Sequence, residues 1–137
     1  MQRRLSAILL VFLMAVAPLV PLANAHEAIG LTADSTHIIL SPGEATNLTL
    51  TIHNNGSSIE DYDISVAGQP NAWEVVPSEL QVSNVIPTFS DTTTIAIRLS
   101  TTATPSDSGN VTLIVTENDS NFTTTLTILL SVAPRFL

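Results

Sequence analysis

Residues 47–53 read NLTLTIH, and in this stretch an apolar side chain occupies every second position. Leu48, Leu50 and Ile52 lie on one side of an extended backbone, while Asn47 and the threonines lie on the other. Such alternation is typical of a β-strand with one buried side and one solvent-facing side. The stretch therefore predicts a strand at the surface of a hydrophobic core.

The same alternation recurs along the rest of the chain. One strand is expected over 36–40, and the apolar positions of the others are Tyr62, Ile64 and Val66; Leu80 and Val82; Ile95, Ile97 and Leu99; Val111, Leu113 and Val115; and Leu126, Ile128, Leu130 and Val132. Segments rich in Gly, Pro, Asn and Ser separate them, as turns require. About seven short strands predict an all-β fold, a two-sheet immunoglobulin-like sandwich, with Trp73 and Tyr62 as its largest core side chains.

The composition excludes several classes of protein. The 137 residues include 12 acidic residues and 4 arginines but no lysine and no cysteine, and the formal net charge is −8. Without cysteine there is no disulfide scaffold or thiol nucleophile, and without lysine there is no Schiff-base chemistry or P-loop. Such an acidic chain is unsuited to nucleic acid, whose phosphates require basic side chains. No combination of acid, base and nucleophile is apparent, so we expect a protein that is not an enzyme.

The first 25 residues have the features of a secretory signal peptide. Arg3 and Arg4 precede an apolar run over 5–17, and Ala23-Asn24-Ala25 supplies the small residues of a cleavage site. We therefore expect a signal peptide over 1–25 and an immunoglobulin-like domain over 26–137, with no membrane span after cleavage. Retention of the apolar run as a membrane anchor is the alternative.

Residues 41–56, SPGEATNLTLTIHNNG, contain a Pro-Gly turn, a strand and a closing Asn-Asn-Gly. Trp73-Glu74-Val75 follows a later turn, and Thr104-Pro105 precedes Gly109-Asn110-Val111 and two closing strands. This pattern resembles prokaryotic immunoglobulin-like modules, in particular the NPCBM-associated, alpha-galactosidase-linked module. The resemblance implies a non-catalytic accessory module and transfers no site residues.

Five asparagines lie in N-x-[ST] sequons and are candidate glycosylation sites. Asn47, Asn110 and Asn121 are expected on the outward side of strands, and Asn55 and Asn118 are expected in turns. A glycosyltransferase could reach all of these positions, which predicts a glycoprotein. The alternative is a surface rich in Asn and Thr that carries no glycan.

The acidic run Glu60-Asp61-Tyr62-Asp63 follows a turn that contains Asn54 and Asn55. Three carboxylates near two amides could coordinate Ca²⁺ at one end of the sandwich. The spacing is not that of a calcium-binding loop motif. An acidic loop that contributes only to solubility is therefore the favoured interpretation.

The three histidines, His26, His37 and His53, are candidate metal ligands. Cleavage after Ala25 would give His26 a free α-amine beside its own imidazole, which together chelate Cu²⁺. A third nitrogen would come from His37 or His53, and the short separation in sequence favours His37. The alternative is that His26 is simply the residue that follows the cleavage site and that the protein has no cofactor.

These features predict a secreted or cell-surface module in the extracytoplasmic space. Its expected partner is a protein or glycan of the cell envelope, bound without catalysis. A small extracytoplasmic copper-binding protein that uses His26 is the alternative function.

Overall fold

The computed structural model describes residues 29–134, which form nine β-strands and one short 3-10 helix. The strands are β1 (Ile29–Ala33), β2 (His37–Leu40), β3 (Ala45–Asn54), β4 (Glu60–Ala67), β5 (Trp73–Pro77), β6 (Gln81–Val85), β7 (Ser90–Leu99), β8 (Gly109–Glu117) and β9 (Thr123–Val132). The 3-10 helix, Pro105–Asp107, lies between β7 and β8. The signal peptide expected at 1–25 lies outside the described residues. Within them, no helix has the length and apolar character needed to cross a membrane.

The strands form two sheets that pack as a sandwich. Sheet A has the order β1-β3-β7-β5, and sheet B has the order β2-β9-β8-β4-β6. β1 and β2 are consecutive in the chain but belong to different sheets, so the first extended segment crosses between the sheets. All paired strands are antiparallel except β2 and β9, which run parallel. The all-β, two-sheet sandwich predicted from the alternation is confirmed.

The inward side chains of both sheets form a core that is mainly aliphatic. Leu48, Leu50 and Ile52 of β3 are fully buried, and Leu48 lies opposite the buried Ile95 of β7. The fully buried aliphatic residues of sheet B are Val111, Leu113, Val115, Ile128 and Leu130. Full burial of one such side chain contributes roughly 1.5–3 kcal/mol relative to exposure. A slip of one residue would turn these side chains to water, so the alternation also determines the register.

The structure has two strands, β1 and β5, that the alternation does not predict. Each is five residues long and has too few inward positions to show a period in the sequence. The expectation that Leu80 faces the core is wrong, because its side chain is 72% exposed and β6 begins one residue later. In β6 the buried residues are Val82 and Val85, since Asn84 has a φ of 57° and a β-bulge shifts the pairing with β4.

Different loops close the two ends of the sandwich, and each end surrounds one aromatic residue. The Trp73 end consists of Trp73 and the loops 41–44, 68–72 and 100–108. The Tyr62 end consists of Tyr62 and the loops 55–59, 86–89 and 118–122. β1 begins at the Tyr62 end, where Ile29 pairs with Asn54, and β9 ends at the Trp73 end.

Candidate functional site

A shallow groove crosses the outer side of sheet A near the Trp73 end. It has a volume of about 510 Å³ and extends over β3, β7 and β5. In the strand register Ala45 lies opposite Arg98, and Asn47 lies opposite Ala96, so short side chains alternate with long ones and leave a depression. The lining residues are Ala45, Thr46, Asn47, Glu74, Val76, Ala96, Ile97 and Arg98. We call this depression the Arg98 groove.

Arg98 supplies the most evident binding chemistry of this groove. It is the only arginine or lysine within residues 29–134, and its side chain is exposed. Its register neighbours are Ala45 and Glu74, yet its guanidinium forms no hydrogen bond or ion pair with any described residue. The five N–H donors of the guanidinium therefore face solvent in a chain with a net charge of −8.

A second depression of about 410 Å³ lies at the Trp73 end. Pro42 and the segments 101–105 and 132–134 form its wall, and every lining side chain is uncharged. It offers hydroxyl and apolar contacts but no ionic anchor. The Arg98 groove is therefore the better candidate for selective recognition.

All five candidate glycosylation sites are exposed, as their positions in the sequence predict. Asn47 lies on β3 and lines the Arg98 groove, and Asn110 lies on the outer side of β8. Asn55 follows β3 directly, and Asn118 occupies the turn after β8. Exposure makes these side chains accessible to a glycosyltransferase, and their modification stays a prediction.

Asn121 is exposed but does not lie on a strand, contrary to expectation. β9 begins only at Thr123, and Asn121 has a φ of 59° in the turn that precedes it. Asparagine adopts this left-handed conformation more readily than most residues, because its short polar side chain forms local hydrogen bonds. The sequon therefore belongs to a loop of the Tyr62 end.

The candidate metal ligands His37 and His53 lie in different sheets. His37 Nε2 is 2.8 Å from Ser131 Oγ, and His53 Nδ1 is 2.6 Å from Ser90 Oγ. His26 precedes the described residues, so the structure does not describe the predicted copper site. In the described part of the chain, no group of three or more His, Cys, Asp or Glu side chains is arranged to hold a metal ion.

The two histidines also differ in their relation to the start of the described chain. His53 pairs with Gly30 on β1, whereas His37 lies beyond the end of β1. The stretch between His26 and His37 includes the five residues of β1, so it is not a simple loop. His53 therefore lies beside the first described strand, and His37 does not.

The acidic run 60–63 does not form a single carboxylate site. Asp61 and Asp63 face outward, where both accept hydrogen bonds from β6, at 2.8 and 3.0 Å. Glu60 and Tyr62 are buried, because successive side chains of a strand point to opposite sides. The suggested calcium site built from all three carboxylates of this run is therefore wrong.

Glu60 and Glu117 of β8 are instead buried near Tyr62 at the Tyr62 end. Tyr62 is fully buried, Glu60 is 7% exposed and Glu117 is 5% exposed, and Tyr62 pairs with Glu117 in the strand register. Burial, reinforced by the charges of Glu117 and Glu60, raises the pKa of the Tyr62 hydroxyl to about 12. We call these three residues the buried acidic cluster. The alternation predicts burial of Tyr62 but not its two acidic neighbours.

Asn54 is a fully buried polar residue that joins the two sheets at the same end. Its Nδ2 donates to the carbonyl oxygens of Ser58 and Val85, both at 2.8 Å. Its Oδ1 accepts from the backbone N–H of Gly56 at 2.9 Å. Both polar atoms of this amide are therefore hydrogen-bonded to backbone groups.

Large apolar side chains are exposed on the loops of the Tyr62 end. Ile59, Ile86 and Phe89 are each more than half exposed. The loops lie close together, because the backbone N–H of Asn54 donates to the carbonyl of Phe89 and the Asn54 amide donates to the residue before Ile59. These three exposed residues form an apolar rim on the loops of the Tyr62 end.

Comparison with solved structures supports the fold. The chain is similar to a FixG-related protein from Vibrio parahaemolyticus, with 14% identity and a TM-score of 0.61 over 78% of this chain and 98% of that one. It is also similar to a family 123 glycoside hydrolase from Clostridium perfringens (12% identity, TM-score 0.53), over 78% of this chain and 28% of the hydrolase. The E. coli chaperone DraB matches with 16% identity and a TM-score of 0.50, over 77% of this chain and 55% of DraB.

These likenesses show an all-β domain of sandwich type, and at such identities they show the fold alone. No family model matches the sequence, and no curated protein matches it. The resemblance to the NPCBM-associated module therefore stays a hypothesis at the level of family.

Proposed function

We propose that this chain is a non-catalytic accessory module of the cell envelope or extracellular space that binds a protein or a glycan through the Arg98 groove. The observation that supports the proposal most directly is an exposed guanidinium, without a partner among the described residues, inside a concave surface. The groove volume of about 510 Å³ lies within the range of roughly 300–1,000 Å³ typical of ligand sites.

The lining of the groove indicates the chemistry of the ligand. Arg98 is a charged donor, Glu74 is a charged acceptor, and the Asn47 amide offers both functions. A guanidinium binds carboxylates in a bidentate way, which makes the interaction directional as well as strong. An acidic polysaccharide, or an acidic segment of an envelope protein, satisfies all three groups.

The expected role and location follow from the sequence. The features of a signal peptide over 1–25 support export, and the resemblance to the NPCBM-associated module supports an accessory role. The glycoside hydrolase that acts on glycolipid glycans shares this fold over only 28% of its own length. This partial match is compatible with one module of a larger protein. We therefore propose that the module recruits or orients other envelope components.

Glycosylation and ligand binding compete at one position. Asn47 is a candidate glycosylation site and also lines the Arg98 groove. A glycan on Asn47 would fill the groove, so the protein that binds a ligand there is expected to be unmodified at Asn47. Mass spectrometry of the secreted protein measures the occupancy of this sequon.

The proposal is tested by binding of the secreted protein to isolated cell envelopes and to an array of uronic-acid-containing oligosaccharides. Arg98→Ala should weaken binding about tenfold or more, because hydrogen bonds to charged groups contribute roughly 1.5–3 kcal/mol. Arg98→Lys keeps the charge but loses the fork and should bind with intermediate affinity. Thr127→Ala, on the outer side of sheet B, is the matched control and should bind as the wild type does. Equal binding by wild type and Arg98→Ala would reject the groove as the site.

Copper binding through His26 is a second proposal. The observation that favours it is the pairing of His53 with Gly30, which brings one imidazole beside the first described strand. Titration of the processed protein with Cu²⁺ should show binding that is lost when an extra residue precedes His26. His53→Ala should weaken this binding more than His37→Ala does, and the reverse order would contradict the structural preference.

A further inference from the structure

The loop that follows β3 contains the pair Asn55-Gly56, in which the two residues can react with each other. In an Asn-Gly pair the backbone nitrogen of the glycine attacks the side-chain carbonyl carbon of the asparagine, because glycine has no Cβ to hinder the approach. Asn55 is exposed and comes directly after the last residue of β3, so water can reach its amide. The pair is therefore a candidate site for loss of ammonia from a side chain.

The reaction needs no co-reactant except water. The Gly56 nitrogen gives its proton to hydroxide and forms a bond to Asn55 Cγ, while the bond between Cγ and Nδ2 breaks. The leaving nitrogen takes a proton from water and departs as ammonia, and a five-membered succinimide ring remains. Water then opens the ring at either carbonyl, which leaves aspartate or isoaspartate at position 55. The first step requires a Gly56 nitrogen that is free to lose its proton.

The fold holds this attacking nitrogen in a hydrogen bond. The backbone N–H of Gly56 donates to Asn54 Oδ1 at 2.9 Å. Asn54 is fully buried, and its Nδ2 donates to the carbonyl oxygens of Ser58 and Val85, both at 2.8 Å, so the accepting oxygen has little freedom to move. A nitrogen that keeps its proton in this bond has no lone pair to offer to Asn55 Cγ. The bond to Asn54 therefore opposes the first step of the reaction.

The backbone of Asn54 is also fixed, by the loop that precedes β7. The Asn54 N–H donates to the carbonyl oxygen of Phe89 at 3.0 Å, and the Asn54 carbonyl accepts from the N–H of Thr88 at 2.8 Å. Release of Gly56 therefore requires either rotation of a buried amide out of its other hydrogen bonds or movement of the loop 55–59. Since a buried polar group without a partner is costly, movement of the loop is the favoured route.

We propose that Asn55 is a site of self-modification that Asn54 keeps inactive in the folded protein and that reacts when the loop 55–59 opens. Asn54 is a positioning residue in this scheme, because it holds the Gly56 N–H and takes no part in the bond changes. The inference is independent of the Arg98 groove, which lies on the outer side of sheet A near the Trp73 end.

Modification would change the contact between this loop and the first strand. A Cβ added to Gly30 of β1 would lie 3.2 Å from Asn55 Nδ2 and 3.1 Å from His53 Cβ, so the Asn55 amide lies against β1. Loss of ammonia replaces this amide by a carboxylate, and isoaspartate also adds one carbon atom to the main chain. The product no longer has a sequon at position 55, so it cannot accept an N-linked glycan there. The modified fraction therefore increases with the time that the loop spends open.

The first experiment uses protein whose Asn55 carries no glycan. Samples are incubated at mildly alkaline pH, either folded or unfolded in concentrated urea, and the peptide that contains Asn55 is analysed by mass spectrometry. The folded protein should lose ammonia about tenfold or more slowly, because only molecules with an open loop react. Equal rates in the folded and the unfolded protein would overturn the proposal.

A matched pair of variants separates the hydrogen bond from the general rigidity of the loop. Asn54→Ala and Asn54→Ser both lose the donations from Nδ2, but the serine hydroxyl can still accept weakly from the N–H two residues later. Asn54→Ala should react about threefold to tenfold faster than wild type, as loss of one hydrogen bond implies, and Asn54→Ser should be intermediate. Ser58→Ala changes the same loop without affecting the Gly56 N–H and should react as the wild type does. Equal rates for Asn54→Ala and Asn54→Ser, each verified as folded by Trp73 fluorescence, would contradict the role of the bond.

Amide hydrogen exchange gives a measurement that needs no variant. In the folded wild type the Gly56 N–H should exchange with deuterium about tenfold or more slowly than in the unfolded chain, although its loop is exposed. Exchange of Gly56 at the rate of the unfolded chain would show that the bond to Asn54 does not persist in solution, and the proposal would be wrong.

Discussion

The Trp73 end and the Tyr62 end are each closed around one aromatic residue, but they treat buried polar atoms differently. At the Trp73 end, Trp73 Nε1 donates to the carbonyl of Asp107 at 2.9 Å, and Ser108 Oγ accepts from the backbone N–H of Val132 at 3.0 Å. At the Tyr62 end, the hydroxyl of Tyr62 and one oxygen of Glu60 are buried without a partner among the described residues.

Of the two ends, only the Trp73 end satisfies these buried polar atoms with described residues. Packing is also tight at the Trp73 end, where a Cβ added to Gly109 would lie 2.8 Å from Pro70 Cγ. The residues of the Trp73 end therefore stabilise the fold through their mutual hydrogen bonds and close packing. At the Tyr62 end, the described residues leave the Tyr62 hydroxyl and Glu60 Oε2 without a hydrogen bond, so the burial of these atoms costs free energy.

The largest expected effect comes from a new buried carboxylate near the Trp73 end. Ile97 is buried opposite Val75, and Ile97→Asp would place a charge there without a partner. Such burial costs several kcal/mol against a total stability of about 5–15 kcal/mol, so the variant should be largely unfolded by circular dichroism. Thr127→Asp, on the exposed side of β9, should change the stability by less than about 0.5 kcal/mol. Equal losses from both variants would refute the assignment of faces.

The next largest effect is expected for the aromatic residue of the Trp73 end. Trp73→Ala should lower the free energy of unfolding by roughly 3–5 kcal/mol, because it leaves a cavity and an unsatisfied carbonyl at Asp107. Trp73→Phe should lose less, since most of the apolar contact remains. Urea denaturation measures both values, and a loss below about 1 kcal/mol for Trp73→Ala would mean that this end contributes little.

A smaller effect is expected from ionisation of Tyr62, measured by phenolate absorbance. The pKa is about 12 in the folded protein and 10.0 for the unperturbed group, because burial and the charges of Glu117 and Glu60 disfavour the phenolate. Between these values the unfolded chain loses the proton first, so the free energy of unfolding decreases as the pH rises from 10 to 12. Below this window Tyr62 makes no pH-dependent contribution. A titration midpoint near 10 would contradict the described burial.

The smallest effect is expected for Tyr62→Phe. The substitution removes a hydroxyl that has no hydrogen-bond partner among the described residues and keeps the aromatic ring. The stability should change by less than about 0.5 kcal/mol, or rise slightly, as measured by urea denaturation. A loss above about 1.5 kcal/mol would show that the hydroxyl is satisfied in solution, and the contrast between the two ends would disappear.

The fold could be predicted from the sequence wherever a strand has three or more inward positions. Leu48, Leu50 and Ile52 define β3 without help from any other part of the chain. β5 offers only Trp73 and Val75 as buried positions, which is too few to reveal a period of two. The bulge at Asn84 could not be predicted from the sequence either, because it depends on pairing with β4 and not on the residues of β6 alone.

The candidate sites were less predictable, because they depend on contacts between strands. The alternation places Asn47 and Asn110 on the outward side of their strands, which was enough to predict their exposure. The Arg98 groove requires the register of three strands, and the position of Glu117 beside Tyr62 requires the pairing of β4 with β8. Neither register can be derived from the spacing of residues within one segment.

The parallel pairing of β2 with β9 has a consequence for mechanical load. The described chain enters at the Tyr62 end and leaves at the Trp73 end, so tension on its two termini pulls β2 and β9 in opposite directions along their own axes. The hydrogen bonds of this pair then bear the force together in shear and do not open one after another. One of the bonds beside β2 runs from Leu129 N–H to the Thr36 carbonyl. A domain stretched between its two ends would therefore resist the force for as long as this short ladder holds.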